Sequence, residues 1–118
     1  MRRKMSENVK GIKVMPDHES AGIWDSDTGI MLDPVEIGLP EDILASLDFW
    51  IRFYETCFEE DQSTFKKDKS YILNKKGLEV AHSIKEFFPQ KYICYVGEDE
   101  KGVRDKREIT GHLTPSIS

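Results

Sequence analysis

Between Pro40 and Phe58 apolar residues return every three or four positions: Ile43, Leu47, Trp50, Ile51, Tyr54 and Phe58. On a helix they make a stripe about 100° wide, and such a stripe has to face a core. Pro40 suits the first turn, where its missing N–H would be unpaired anyway, and Glu41 and Asp42 complement the positive end of the helix dipole. Phe49 and Phe53 fall off the stripe on a second face, either packed under the N-terminal segment or displayed to a partner. A second helix is predicted from about Ser70 to Phe88, with Leu73, Gly77, Val80, Ala81, Ile84 and either Phe88 or Phe87 on one face and Pro89 ending it. Gly77 costs about 1 kcal/mol against alanine in a helix interior, which close approach of the first helix would explain.

Short strands flank this helical pair. Ile12, Val14 and Ile23-Trp24 sit in brief apolar runs broken by Pro16 and Gly22, and Ile30-Met31-Leu32 is a further short strand closed by Asp33-Pro34. Tyr92 to Val96 reads as a buried strand, Gly97 to Gly102 as a turn, and Val103 to Ile109 as a weaker returning strand. The fold class that follows is α+β: a small, mainly antiparallel sheet packed on one face by two antiparallel helices. Residues 1–10 are expected to be a flexible basic N-terminus, 11–113 a single domain and 114–118 a flexible tail.

A chain of 118 residues accommodates one domain and buries roughly 65% of the surface its unfolded state exposes, enough for a core without staples. Cys57 and Cys94 lack the CxxC spacing of a zinc or redox site and are expected as buried thiols in a reducing compartment. The basic start is followed by Ser6-Glu7-Asn8 instead of an apolar stretch, and no run approaches the roughly 18 apolar residues of a membrane span. The expectation is a cytoplasmic protein.

Charge is the strongest anomaly. From Asp17 to Asp61 there are thirteen carboxylates and one basic residue, Arg52, although the whole chain carries a net charge of only −5. Such a segment repels nucleic acid and anionic lipid, and it steers basic protein surfaces toward itself. Other chemistries find less support. Counting Asp25 as the first position of a calcium loop aligns Asp27, Asp33 and Glu36, but Ile30 stands where the turn glycine belongs. Asp27-Thr28-Gly29 matches the aspartic-protease tripeptide, yet one copy would require a dimer of β-rich subunits. His18, His82 and His112 are tied by no motif to a nucleophile, and no GxGxxG, GxxxxGK[ST] or HExxH occurs. Lysines at 66, 67, 69, 75 and 76 cluster without the interleaved aromatics of a nucleic-acid platform.

One resemblance orders these features. Gly22-Ile23-Trp24-Asp25 in an acidic region, Leu39-Pro40 opening an aromatic-rich helix with Trp50, Gly77-Leu78-Glu79-Val80-Ala81 with Ile84-Lys85, then Lys91-Tyr92-Ile93 and Tyr95 follow in turn. From Val14 to Gly97 the chain resembles small bacterial immunity proteins of polymorphic toxin systems, including contact-dependent growth inhibition. The basic start, Met1 to Lys13, departs from that pattern. The resemblance implies a cytoplasmic protein that neutralises a toxin domain, often a nuclease, by binding and occluding it. It transfers no functional residue.

The function expected from the sequence is therefore a protein-binding inhibitor and not an enzyme. Asp17, Glu19, Trp24, Asp25, Asp27, Asp33 and Glu36 are its candidate partner-binding residues, a cognate basic toxin domain is its partner, and no cofactor or metal is called for. Nucleic acid and membrane are not expected partners, and the chain is expected as a monomer or weak homodimer. Two alternatives stand beside it: a small metal-dependent hydrolase or nucleotide-modifying enzyme using Asp25 and Asp27, and a homodimeric regulatory or scaffold domain.

Overall fold

The computed structural model describes residues 8–57, 69–98 and 103–110. In chain order these form β1 (Gly11–Val14), β2 (Ile23–Asp25), α1 (Glu41–Glu55), α2 (Ser70–Phe87), β3 (Tyr92–Glu98) and β4 (Arg104–Glu108). The strands make one four-stranded sheet in the order β2-β1-β3-β4. The β1–β2 and β3–β4 pairings are antiparallel, whereas the central β1–β3 pairing is parallel. A parallel neighbour needs a long crossover, and the two helices supply it. The chain is thus α+β with a mainly antiparallel sheet, as the alternation of patterns implied.

Alternation along the strands sorts the two faces of the sheet. Ile12, Val14, Ile23, Ile93 and Tyr95 point into the core shared with the helices, while Trp24, Lys13, Cys94 and Glu108 stand in register on the opposite face. α2 packs against β3 and β1, and α1 packs against α2. α1 begins after Pro40, whose carbonyl accepts the Ile43 and Leu44 N–H groups, and buries Ile43, Leu47, Trp50 and Tyr54. It ends three residues before Phe58, which lies outside the described residues. The Thr56 hydroxyl donates to the Phe53 carbonyl at 2.6 Å, closing the last turn.

The centre of the fold is a tie built on Trp50 and Tyr95. Trp50, fully buried, donates its indole N–H to the Leu73 carbonyl at 2.9 Å and sets its ring 5.9 Å from that of Tyr95. Tyr95 donates to Asn74 Oδ1 at 2.7 Å, and the Asn74 amide donates to the Glu98 carbonyl at 2.9 Å, fastening α2 to the end of β3. Gly77 lies beneath both rings: a Cβ there would stand 2.7 Å from Trp50 Cζ2 and 2.6 Å from Tyr95 Oη. The close approach inferred from Gly77 therefore involves the first helix and the sheet together. Burial pushes the Tyr95 phenol upward, with Glu98 reinforcing it. Cys57 and Cys94 are both buried thiols, and burial also raises Cys94.

Several boundaries differ from expectation. Met31 makes a single β-bridge to Trp24 where a short strand was expected. α2 stops at Phe87, one residue early, because the backbone leaves helical geometry at Phe88, just before Pro89. β3 continues through Gly97 to Glu98, two residues further than its apolar run. The expected turn beyond Glu98, the lysines at 66 and 67, and the terminal segments 1–7 and 111–118 lie outside the described residues.

Candidate functional site

The acidic segment begins in the turn between β1 and β2. Asp17 accepts the His18 N–H at 2.8 Å, Ser20 donates to the Asp17 carbonyl at 2.9 Å, and Glu19 takes a left-handed conformation with φ 53°. This turn is held down by α1: Glu55 Oε1 pairs with His18 Nδ1 at 3.0 Å, its Oε2 accepts the Glu19 N–H at 3.4 Å, and the His18 ring lies 5.2 Å from that of Tyr54. Burial, reinforced by Glu98, Asp17 and Glu55 against the opposing Arg104, pushes the Tyr54 phenol up to about 12.

At the other end of the hairpin a second turn follows β2. Asp25 Oδ1 accepts the N–H groups of Asp27 at 2.8 Å and Thr28 at 3.2 Å, and Gly29, at φ +77°, donates to the Asp25 carbonyl. The stretch weighed as a calcium loop and as a protease tripeptide is built as a tight turn about its own carboxylate. Among the described residues no group of three or more His, Cys, Asp or Glu side chains could hold a metal ion.

The chain then doubles back along the outer edge of β2. Asp25 N–H donates to the Ile30 carbonyl at 2.8 Å and Leu32 N–H to the Ile23 carbonyl at 3.0 Å, bracketing the Trp24–Met31 bridge. That pattern is the non-hydrogen-bonded antiparallel pair, in which facing side chains lie closest and share a face. Trp24 is thus a neighbour of Met31 on the sheet face away from the helices, half-buried, with its indole N–H given to the Met15 carbonyl at 3.0 Å. It is not part of the core cluster.

Residues 33–39 form one capped helical turn. Asp33 Oδ1 accepts the Val35 N–H at 2.9 Å, Pro34 occupies the first turn, and Gly38 at φ +87° ends it. The Leu39 N–H reaches the Pro34 carbonyl and the Gly38 N–H the Val35 carbonyl, closing the turn as a Schellman motif. Ile37 and Leu39 are buried, so Val35 and Glu36 are held outward.

The seven sequence-nominated residues therefore fall into two groups. Trp24, Asp25, Asp27, Asp33 and Glu36 belong to the β2 edge and its returning strap, with Asp27, Asp33 and Glu36 exposed. Asp17 and Glu19 sit in the β1–β2 turn, at the end of the hairpin away from the Asp25 turn, and the strap runs back along β2 toward that end, Leu32 facing Ile23 before Asp33. Sequence reading passed over three side chains on the strap, Ile30, Met31 and Val35, which are 66%, 48% and 68% exposed. The spacing Asp33-Pro34 to Gly38 was the available signal for Val35, since it marks a capped turn whose middle residues face solvent. Elsewhere, Phe49 is exposed beside a cleft of about 430 Å³ between α1 and α2, with Lys76 Nζ 4.8 Å from its ring centroid. Phe53 is instead partly buried against the core, so the second face of α1 is covered at Phe53 and open at Phe49.

A family model described as Serratia CdiI immunity protein-like matches residues 10–98. The chain belongs to that family. Neither the curated proteins nor the solved structures give a match. Membership in the Serratia CdiI immunity protein-like family makes the chain a toxin-neutralising immunity protein whose partner is a cognate toxin. The matched span runs from just before β1 to the end of β3, and so takes in the acidic segment, both helices and the Trp50–Tyr95 tie, but not β4. No helix among the described residues is long and apolar enough to cross a membrane.

Proposed function

We propose that this CdiI-type immunity protein acts in the cytoplasm and neutralises a nuclease toxin by laying its acidic surface against the toxin's basic, nucleic-acid-binding face. One observation carries the reading: from Val14 through Ile51 the chain has nine carboxylates and no lysine or arginine. Among them Glu19, Asp27, Asp33, Glu36, Glu41, Asp42 and Asp48 are exposed. Asp17, Glu19, Asp25, Asp27, Asp33 and Glu36 stand in for phosphates, and Trp24 supplies aromatic contact at the sheet edge. The partner is a basic toxin domain, and the inhibition is by occlusion, without cofactor or covalent chemistry.

The test is stopped-flow association of this chain with its cognate toxin domain, across a salt series. Electrostatic steering makes the association rate constant fall about tenfold or more between low and physiological ionic strength. A rate constant that is flat across the series would remove the acidic-mimic mechanism.

A further inference from the structure

The geometry points to the returning strap on the β2 edge as the anchor of the interface, the edge inserting into an apolar cleft within the cationic face of the partner, with Ile30 and Met31 on its two opposite faces and Val35 beyond them. This deepens the reading above and rests on it. Exposed apolar side chains are common singly, but these three fall within six residues of one another and project from a segment fixed at both ends. At one end the Asp25 turn holds the strap, at the other the Schellman turn of residues 33–39 does, and the bridge to Trp24 pins its middle. A pre-ordered strap loses little conformational freedom when it docks, which is what separates an anchor from an incidental loop.

Charge identifies the occupant. Asp27 precedes the trio, Asp33 lies between Met31 and Val35, and Glu36 follows, all exposed, so carboxylates alternate with apolar side chains along a stretch without lysine or arginine from Val14 to Ile51, and the register brings Lys13 near only from β1, across Trp24 from Met31. An apolar centre within an anionic rim fits a protein surface of the reverse charge, with an apolar centre of its own. Anionic lipid and nucleic acid are repelled by the same rim. The two parts do different work: the carboxylates govern how fast the partners meet, and the strap governs how long they stay together.

The experiment uses the full chain and its cognate toxin domain. Ile30→Ser, Met31→Ser and Val35→Ser are combined in one variant, checked for an unchanged melting curve, and compared with wild type by surface plasmon resonance. The triple variant is expected to dissociate at least about 100-fold faster while its association rate constant changes less than about threefold. A variant carrying Asp27→Asn, Asp33→Asn and Glu36→Gln is expected to show the reverse split; asparagine at 33 still caps the 33–39 turn. Phe49→Ser, at an exposed aromatic beside the α1–α2 cleft, is expected to change neither constant.

If wild type binds but the strap variant dissociates at the wild-type rate, the inference is overturned and the immunity reading stands. If Phe49→Ser loosens the complex as much as the strap variant does, the α1–α2 cleft is the anchor and the strap is not. If wild type self-associates in sedimentation and the strap variant does not, the strap is an interface between copies and the inference is likewise overturned. Failure of wild type to bind the toxin at all removes the function proposed above as well.

Discussion

Replacing Gly77 with alanine sets two opposed effects against each other at one position. Helix propensity favours alanine over glycine by about 1 kcal/mol, and at an exposed helical site that term would decide the sign. Here an added Cβ would meet Trp50 Cζ2 at 2.7 Å and Tyr95 Oη at 2.6 Å, both well inside van der Waals contact. Neither ring has room to retreat, because Trp50 is 0% and Tyr95 3% exposed. Each is also tethered, Trp50 to the Leu73 carbonyl at 2.9 Å and Tyr95 to Asn74 Oδ1 at 2.7 Å. Overpacking a filled core costs about 1–3 kcal/mol, and prising Tyr95 off Asn74 costs about 1 more. The balance is a loss of about 1–3 kcal/mol. With about 2.1 cal/mol/K of unfolding entropy per residue over 118 residues, Tm should fall by roughly 4–12 °C. Thermal unfolding followed by circular dichroism reads this directly, with Ser83→Ala on the exposed side of the same helix as the control that should gain a few tenths of a kcal/mol. A Gly77→Ala protein that melts above wild type would refute the claim that Trp50 and Tyr95 close rigidly over this glycine.

Glu19→Gly relieves a left-handed backbone at φ 53° and should stabilise the chain by up to about 1 kcal/mol while slowing toxin association; a less stable variant would show that its carboxylate matters to the turn. Asp33→Ala removes the side chain that caps residues 33–39 and should cost about 1 kcal/mol, with amide exchange of Val35 accelerating first; unchanged protection there would discount the cap. Tyr54, raised to about 12 from an ordinary 10.0, and Tyr95, raised further, both favour the protonated phenol in the folded state. Their contribution is therefore complete below pH 10 and is lost as the pH climbs toward 12. Their phenolate absorbance should accordingly appear together with unfolding, and titration of both near pH 10 in an intact fold would contradict it.

The legible parts of the fold were those in which one local signal and one packing demand agreed. The stripe of α1, the glycine of α2 and the apolar run of β3 each forced a buried face, and each was found at its place. The parallel β1–β3 pairing was not legible, because strand direction is set by how the helical crossover returns and leaves no mark on the strand residues. Nor could Ile30-Met31-Leu32 be distinguished from a strand. Its alternation is real, since Leu32 is buried and Met31 is not, but only one bridge forms at the sheet edge. For the surface, composition located the carboxylates and not their grouping. Asp17 and Glu19 read as continuous with Asp25 and Asp27, yet the hairpin carries them to its opposite ends.

This separation has a consequence for how such a protein changes partners. The tie that holds the sheet to the helices runs through Trp50, Leu73, Asn74, Gly77 and Tyr95, and none of these belongs to the turns or the strap that carry the exposed carboxylates and Ile30, Met31 and Val35. The strap is instead held by backbone hydrogen bonds, by Leu32, Ile37 and Leu39 buried in the core, and by two side chains, Asp25 and Asp33, that cap their own turns. Exposed substitutions of the remaining strap residues should then move stability by no more than about 0.5 kcal/mol each. Specificity for a toxin can be rewritten there without disturbing the core, provided that Asp25, Gly29, Asp33 and Gly38 keep the two turns closed. Melting curves of strap variants therefore distinguish the two kinds of position: substitutions at Ile30, Met31, Val35 and Glu36 should leave Tm within about 2 °C of wild type, whereas Gly38→Ala, placed at φ +87°, should lower it by several degrees.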